Sequence, residues 1–350
     1  MNNSLAIKWL KAGELALGTI DTFLIWKMSG GEVFATEHSN ASRTLLYDLR
    51  SRQYSQELCG IFEVTMESLP TIQSSIGRFG VTKGVHGLPD GIPITGCLGD
   101  QQAALYGQNC FAPGEGKITF GTGTFLLMNL GSKPVLSDKG LLTSVALSSG
   151  SEFTYCLEGS SFIAGAAIQY LRDKFGWVQS GADSDKVALS EERDPNLIFI
   201  PAFAGLAAPY WNSNARACLI GLSLKSSKAQ VVRAVLESIV LQNVQLFDLV
   251  SECLKRPIKR LAVDGGVARS DFLMQLQADL LQAPLVRPGH AEATARGAAL
   301  AARQGLDPSL TVPELESPVV FKPKMTTEKS RSIKEPWLKA ATKVHEYYSG

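Results

Sequence analysis

Apolar residues recur at helical spacing in the longest regular segment of the chain, residues 228–255. They are Val231, Val235, Ile239, Leu246 and Val250. Ser226 or Ser227 can cap the start of this segment, and Pro257 cannot continue a helix. The spacing therefore predicts one long helix with an apolar face in the protein core.

The segments around this helix alternate between strand and helix patterns. Short apolar runs predict strands over 117–120, 126–130, 141–147, 153–158, 197–201, 260–263 and 284–288. Helical spacing predicts helices over 160–176, 272–281, 292–304 and 333–348. Gly176 is placed to end the first of these in a left-handed conformation, and residues 317–330 are expected to form a polar loop. This order of elements predicts an α/β fold in which helices cover a sheet.

Residues 1–108 carry shorter patterns. A helix is predicted over 15–28, with Ile20, Phe23 and Leu24 on a face expected to lie in the core. The run from Ile92 to Leu98 predicts a strand that ends at Gly99-Asp100 and leads into a helix over 101–108. A stretch with Pro and Gly at 109–116 predicts a boundary between two domains, residues 1–108 and 109–350.

Composition indicates an ordinary globular protein. The chain has 350 residues, 45% of them hydrophobic, and a net charge of +1, which suits about two domains and gives no reason to expect nucleic acid or an anionic membrane. No uninterrupted apolar run reaches roughly 18 residues, so no membrane span is expected. The six cysteines and four histidines are scattered without a Cys-x-x-Cys spacing, which favours reduced thiols and a cytoplasmic location over a disulfide framework or zinc site.

Three sequence features carry candidate chemistry. Asp100 lies at the predicted start of a helix, where a carboxylate stays ionised and could orient a hydroxyl, hold a metal ion or simply cap the helix. The Gly121-Thr122-Gly123 turn could line a phosphate with backbone N–H groups or could be a plain hairpin turn. Asp264-Gly265-Gly266, between a strand and a helix, could admit a flat ligand or be only a tight turn. The run 114–118 fails the P-loop spacing, which argues against a P-loop enzyme.

The runs GDQQAALYGQ (99–108) and FGTGTF (120–125) together resemble the FGGY family of sugar and polyol kinases, most closely its glycerol kinases. The resemblance implies an actin-like, ribonuclease-H-like ATPase fold with two lobes, ATP and Mg²⁺ as cofactors, and glycerol or a similar small polyol as the substrate. It implies that Asp100 is the catalytic carboxylate, close to Mg²⁺ through water, and that Gln101 and Phe125 contact the polyol. The nucleotide-binding residues that it implies are Thr122, Gly123, Gly165, Gln169, Gly265, Gly266 and Ser270.

The same resemblance begins near Leu5, whereas the family has a substantial segment before this point. It therefore implies a truncated first lobe. The chain could be a fragment, one half of a split enzyme or a non-catalytic nucleotide-binding relative. A homo-oligomer or a complementing N-terminal chain is a possible partner. A kinase for another small polyol or sugar also remains open. An actin-like ATPase is disfavoured by the GDQQAAL run. His86 resembles a regulatory histidine of some bacterial members, but an exposed loop histidine is the favoured interpretation.

Overall fold

A computed structural model describes residues 4–255, 257–289 and 292–350, which form two lobes packed against each other. The helices are α1 Ser4–Lys11, α2 Ile20–Met28, α3 His38–Ala41, α4 Gln56–Ile61, α5 Asp100–Gly107, α6 Gly165–Phe175, α7 Gly181–Ala188, α8 Lys228–Leu254, α9 Asp271–Leu281, α10 Ala293–Leu306 and α11 Thr327–Tyr347. The strands are β1 Ala35–Glu37, β2 Tyr47–Asp48, β3 Gln53–Tyr54, β4 Thr71–Gln73, β5 Glu115–Phe120, β6 Thr124–Gly131, β7 Leu142–Ser149, β8 Glu152–Ser161, β9 Ile198–Ile200, β10 Cys218–Ile220, β11 Arg260–Gly265, β12 Leu285–Arg287 and β13 Val319–Phe321.

The second lobe is built on a seven-stranded sheet in the order β13-β12-β11-β5-β6-β8-β7. β11 runs parallel to both β5 and β12, whereas β6, β8, β7 and β13 pair antiparallel with their neighbours. The ends of β5 and β11 therefore lie side by side, with Phe120 opposite Gly265. This pairing brings the Gly-Thr-Gly turn and the Asp-Gly-Gly turn to the same edge of the sheet.

The long helix α8 forms the centre of the core, as its apolar spacing predicts. Ile239, Val240 and Val250 are fully buried, and Ser227 caps the first turn in a reciprocal pair with Gln230. In the part of the chain that the structure describes, α8 alone has the length and apolar composition of a membrane span, but 72% of that segment is buried inside the protein. Its apolar character therefore serves the core.

The first lobe has a small core of its own. Ile25, Ala35 and Phe79 are buried together, and β1 and β4 form a two-stranded parallel pair beside them. The predicted core face of the first helix is wrong, because Ile20, Phe23 and Leu24 are 70%, 51% and 50% exposed. The opposite face of α2 turns inward instead, since the buried Asp21 carboxylate accepts a hydrogen bond of 2.6 Å from Thr36 Oγ1.

The predicted strand over 92–98 is also wrong. This segment is extended but irregular, and it pairs with residues 75–80 through isolated contacts such as Cys97 N to Ser75 O at 2.9 Å and Phe79 N to Ile94 O at 2.8 Å. Pro93 has no N–H to donate and Gly96 packs against the backbone of α10, so a continuous ladder does not form.

The predicted polar loop over 317–330 contains a strand that the pattern did not predict. β13 pairs antiparallel with β12 at the edge of the large sheet. Val319 and Val320 remain exposed, and only Phe321 is buried, so the segment lacks the alternation that marks a half-buried strand.

The two lobes meet where α5 crosses α10 and where α3 packs against β7. A Cβ atom on Gly297 would lie 1.8 Å from the carbonyl oxygen of Ala103, and one on Gly107 would lie 2.0 Å from that of Ala293. The two helices therefore contact each other backbone to backbone, which only residues without a side chain allow. This contact fixes α5, which begins at Asp100, against the second lobe.

Candidate active site

Asp100 is the first residue of α5, with Gly99 as the N-cap. Its side chain is exposed, and Oδ1 accepts a hydrogen bond of 2.7 Å from the backbone N–H of Gln101. The positive end of the helix dipole favours a carboxylate at this position. Asp100 is thus placed to accept a proton or to attract a cation in the space in front of the helix.

A buried carboxylate, Glu37, holds the segment that precedes Asp100. Glu37 is fully buried and accepts hydrogen bonds from Ser39 N at 2.7 Å, from Asn40 N at 2.6 Å and from Ser75 Oγ at 2.6 Å, as well as from Ser39 Oγ. Burial raises the pKa of Glu37, and these donors oppose that rise. Ser39 Oγ in turn accepts from Gly99 N at 2.9 Å, so this network fixes the residue next to Asp100.

A cavity of about 310 Å³ opens in front of α5. It brings together three residues that the resemblance assigns to the polyol: Asp100, Gln101 and Phe125. Phe125 is 49% exposed and offers its ring to this space. We call this cavity the polyol pocket.

Sequence reasoning missed several residues that line the polyol pocket. Arg43 and Glu158 form an ion pair of 3.2 Å at its wall, and Trp211 also lines it. Arg43 belongs to the segment after α3, so the polar run 38–44 supplies a pocket wall as well as a loop. Nothing in the local spacing joins Arg43 to Glu158, because they come from different lobes.

A second cavity, of about 580 Å³, lies beyond the Gly-Thr-Gly turn. It is lined by five of the residues assigned to the nucleotide: Thr122, Gly165, Gln169, Gly266 and Ser270. We call it the nucleotide pocket. Sequence reasoning did not single out Arg172, Asp185 or Arg269, which also line it.

The other two glycines assigned to the nucleotide lie outside that lining. A Cβ on Gly123 would lie 2.3 Å from the carbonyl oxygen of Ser161, and one on Gly265 would lie 2.2 Å from that of Phe120. Gly265 also has a φ of +93°, which a side chain would strain. In this structure both glycines allow close backbone packing beneath the pocket.

The turn that carries Thr122 is fixed against the start of α6. The carbonyl oxygens of Thr122 and Gly121 accept hydrogen bonds from Ala164 N at 2.7 Å and from Gly165 N at 3.0 Å. The Thr122 side chain remains exposed to the nucleotide pocket. The first N–H groups of α6 are paired with this turn, so the Thr122 side chain is the group that this corner offers to a ligand.

Ser270 has a structural role in addition to its place in the nucleotide pocket. Its Oγ accepts a hydrogen bond of 3.0 Å from Leu273 N and so caps α9. The nearby Asp185 has a raised pKa because of burial, which its hydrogen bond to Ser270 partly offsets. One Asp185 oxygen is buried without a partner among the described residues.

Lys117 lies beneath the polyol pocket and is fully buried. Its Nζ donates a hydrogen bond to Gln101 Oε1 and another, of 2.7 Å, to Thr119 Oγ1. Burial lowers the pKa of Lys117 to about 8, although the carboxylates of Asp264 and Asp100 act in the opposite direction. A charged residue inside an otherwise apolar strand pattern was the signal that could have marked it.

Two family models match the chain. The N-terminal domain of the FGGY family of carbohydrate kinases matches residues 7–107, and the C-terminal domain of the same family matches residues 116–304. The chain belongs to the FGGY family of carbohydrate kinases. It is therefore a phosphotransferase, and the predicted family is confirmed.

Among its relatives, the FGGY chain is similar to glycerol kinases of bacteria. It is 41% identical to the glycerol kinase of Leptospira biflexa over 336 residues, which cover 95% of this chain and 68% of the relative. It is 44% identical to the glycerol kinase of Myxococcus xanthus over 338 residues, with coverage of 95% and 68%. The relatives support a glycerol kinase-like function.

Solved structures support the same placement within the FGGY family. The Plasmodium falciparum glycerol kinase with ADP aligns with a TM-score of 0.90 and 33% identity, covering 98% of this chain and 69% of that one. A gluconate kinase from Lactobacillus acidophilus aligns with a TM-score of 0.81 at 21% identity, over 95% of this chain and 68% of that one, which shows a shared fold. The predicted actin-like, ribonuclease-H-like fold is confirmed.

Proposed function

We propose that this chain transfers the γ-phosphoryl group of ATP to a hydroxyl group of glycerol or a similarly small polyol. One observation carries the proposal: the hairpin of β5 and β6 borders both pockets, with Thr122 lining the nucleotide pocket and Phe125 lining the polyol pocket. A triphosphate in the first pocket can therefore extend towards a hydroxyl in the second. The similarity to glycerol kinases supports glycerol as the first substrate to test.

The nucleotide pocket suits a nucleoside triphosphate in shape and charge. Gly266 has open space where a side chain would be, which allows a flat base or ribose to approach the backbone. The exposed Thr122 hydroxyl is placed to donate a hydrogen bond to a phosphate. Gly165, Gln169 and Ser270 complete the proposed nucleotide contacts, and Gly123 and Gly265 support them through backbone packing.

In the polyol pocket, Asp100 would orient the attacking hydroxyl and accept its proton as the phosphoryl group arrives. Gln101 would hydrogen-bond a substrate hydroxyl, and Phe125 would pack on the carbon skeleton. Phosphoryl transfer passes through a loose transition state, so positioning and charge stabilisation supply most of the catalysis. A pocket that pairs each hydroxyl rejects an alcohol lacking one, because a buried polar group would be left unpaired.

Magnesium fits this site in a limited way. Within residues 4–255, 257–289 and 292–350 no group of three His, Cys, Asp or Glu side chains could hold a metal ion by itself. Mg²⁺ commonly keeps several waters and is bound by one or two carboxylates together with substrate phosphates. The exposed Asp100 carboxylate suits such a water-mediated contact. When bound, the ion would neutralise charge on the phosphates.

The test is a pair of measurements on the purified chain. Calorimetric titration with ATP and Mg²⁺ measures nucleotide binding, and a coupled assay for ADP with glycerol measures transfer. We expect binding of ATP and glycerol-dependent release of ADP. ATP hydrolysis that does not depend on a polyol would contradict the proposal, and nucleotide binding without turnover would favour a non-catalytic relative.

The same assay examines the assembly of the site. A homo-oligomer would make the specific rate depend on protein concentration, and a complementing N-terminal chain would raise the rate when added. Substituting other small polyols or sugars for glycerol tests substrate choice. We also propose that residues 1–108 form the remainder of the substrate domain and residues 109–350 the nucleotide-binding domain. We propose in addition that the protein is cytoplasmic.

A further inference from the structure

The buried ammonium group of Lys117 has no role in the chemistry described so far. Lys117 projects from β5 on the side that faces the start of α5, where its Nζ reaches the side chain of Gln101. Thr119, two residues further along the same strand, accepts a second hydrogen bond of 2.7 Å. The side chain is fully buried, so these contacts are made away from solvent.

The chemistry of an ammonium group decides how the Gln101 amide is oriented. A lysine Nζ carries three N–H donors and no acceptor, whereas a glutamine amide has one oxygen acceptor and one NH₂ donor. The atom of Gln101 that contacts Lys117 must therefore be Oε1. The NH₂ group then points away from Lys117, so its two N–H donors are directed elsewhere.

The neighbouring Asp100 has the opposite character. An ionised carboxylate only accepts hydrogen bonds, and one Asp100 oxygen already accepts from the N–H of Gln101 at 2.7 Å. Both Asp100 and Gln101 line the polyol pocket. The pocket therefore presents an acceptor and a donor on consecutive residues of α5.

We propose that Lys117 is a positioning residue that locks the Gln101 amide with its NH₂ group towards the polyol pocket. Asp100 and Gln101 then form a directional pair that selects a hydroxyl group, since a hydroxyl donates to the carboxylate and accepts from the amide. This inference rests on the proposed function for its substrate. The orientation of the amide is a property of the chain alone.

The first arm of the test is a double-mutant cycle with Lys117→Met, Gln101→Leu and the double variant. Because the ammonium acts through Gln101, we expect each single change to raise KM for glycerol roughly tenfold, as the loss of one buried hydrogen bond does. The double variant should be no worse than Gln101→Leu, and KM for ATP should stay within about twofold.

Two further variants sharpen this arm. Gln101→Glu keeps a partner for Lys117 but presents only acceptors, so it should raise KM for glycerol although the fold is retained. Lys139→Met, which removes an exposed lysine paired with Glu252, is the matched control and should change neither KM. A large loss of kcat in Lys117→Met with KM for glycerol unchanged would overturn the inference, because Lys117 would then act on the transferred phosphoryl group.

The second arm needs no activity. In ¹⁵N-labelled protein the Gln101 side-chain amide is assigned by its loss in Gln101→Leu, and its relaxation reports how rigidly the group is held. We expect a rigid amide in the original chain and in Lys139→Met, and a mobile one in Lys117→Met. An amide that is mobile in the original chain overturns the inference even if glycerol is phosphorylated. A rigid amide in a chain without transfer supports it while the proposed function fails.

Discussion

The two lobes are stabilised in different ways. The second lobe surrounds α8 with a continuous core in which Ile239 and Val240 are fully buried. The first lobe has a small cluster of its own around Ile25 and Phe79, while its Ala41 and Tyr47 join the core of the second lobe. The apolar face of α2 with Phe23 is exposed. A large apolar core resists local opening, whereas a small one depends on its surroundings.

Polar contacts compensate for part of this difference. In the first lobe the buried Glu37 gathers N–H and O–H donors from Ser39, Asn40 and Ser75, and Ser39 connects it to Gly99. The α5–α10 contact then ties the first lobe to the second. The comparison teaches that hydrogen bonds and backbone packing position Asp100 more than the apolar core of the first lobe does.

The largest expected effect comes from the residue at the junction of the two lobes. Asp100→Asn keeps the shape of the side chain but removes the negative charge and most of its basicity. We expect the rate of phosphoryl transfer to fall by about 10²–10⁴-fold, which is typical for the loss of a general base. Affinity for ATP should be nearly unchanged, because Asp100 lies in the polyol pocket. Steady-state kinetics and calorimetry check both expectations, and a variant that kept its rate would show that Asp100 is not the base.

Matched truncations in the two cores test the comparison directly. Ile239→Ala should cost about 2–5 kcal/mol of unfolding free energy, because Ile239 is fully buried in the large core and its truncation leaves a cavity there. Ile25→Ala removes the same atoms from a residue that is 4% exposed in the small cluster, and we expect a cost near the lower end of that range.

Urea unfolding followed by Trp fluorescence and by circular dichroism measures both variants. The smaller core needs less free energy to open, so we expect the first lobe to unfold at a lower urea concentration than the second. Ile25→Ala should shift the first of these transitions and Ile239→Ala the second. Equal shifts of one common transition would show that the lobes unfold as a unit, and the contrast between them would then be lost.

Lys117 should make the free energy of unfolding depend on pH in the alkaline range. Its pKa is about 8 in the folded protein, against 10.5 ordinarily, because burial disfavours the charged form. Between these values the unfolded chain binds a proton that the folded chain has released, so this group makes the protein more stable as pH rises. Below about pH 8 Lys117 is charged in the folded protein, and its burial lowers the free energy of unfolding by the full amount, about 3 kcal/mol.

Lys117→Met isolates this contribution. The free energy of unfolding of the variant, relative to that of the original chain, should be about 3 kcal/mol more favourable at pH 7 than at pH 10.5, because only the original chain can lose the buried charge of Lys117. Denaturant unfolding of both chains across this pH range provides the measurement. Buried tyrosines and cysteines titrate at similar pH in both chains and cancel in the difference. A difference that does not change with pH would show that the Lys117 pKa is not lowered.

Much of the fold follows from local pattern. The helix over 228–255 was predicted almost to the residue because its apolar face persists along its whole length. Gly176 ends α6 with a φ of 61°, as its position predicts. The start of α5 at Asp100 follows from the Gly-Asp step after an apolar run.

Other features depend on contacts that local pattern does not contain. The Lys117–Gln101 and Ser39–Gly99 hydrogen bonds join separate elements, so neither pairing could be recognised from the sequence neighbours of one partner. The predicted inward face of α2 is wrong because the hydrogen bond from Thr36 allows Asp21 to be buried. The face with Ile20 and Phe23 is exposed instead, although its apolar spacing favours the core. Polar networks of this kind position Asp100 and Gln101, whereas strand pairing and backbone packing place the nucleotide pocket.

The smallest expected effect tests the exposed face of α2. Phe23→Ser should change the free energy of unfolding by less than about 0.5 kcal/mol, because the ring is 51% exposed and its contacts with Trp26 and Lys27 are made on the exposed face of α2. Unfolding measured at two protein concentrations is the check. A larger loss that grows with concentration would mean that another copy covers this face in solution. The first lobe would then gain from association the apolar burial that its own small cluster does not supply, and the contrast between the lobes would apply only to the separate chain.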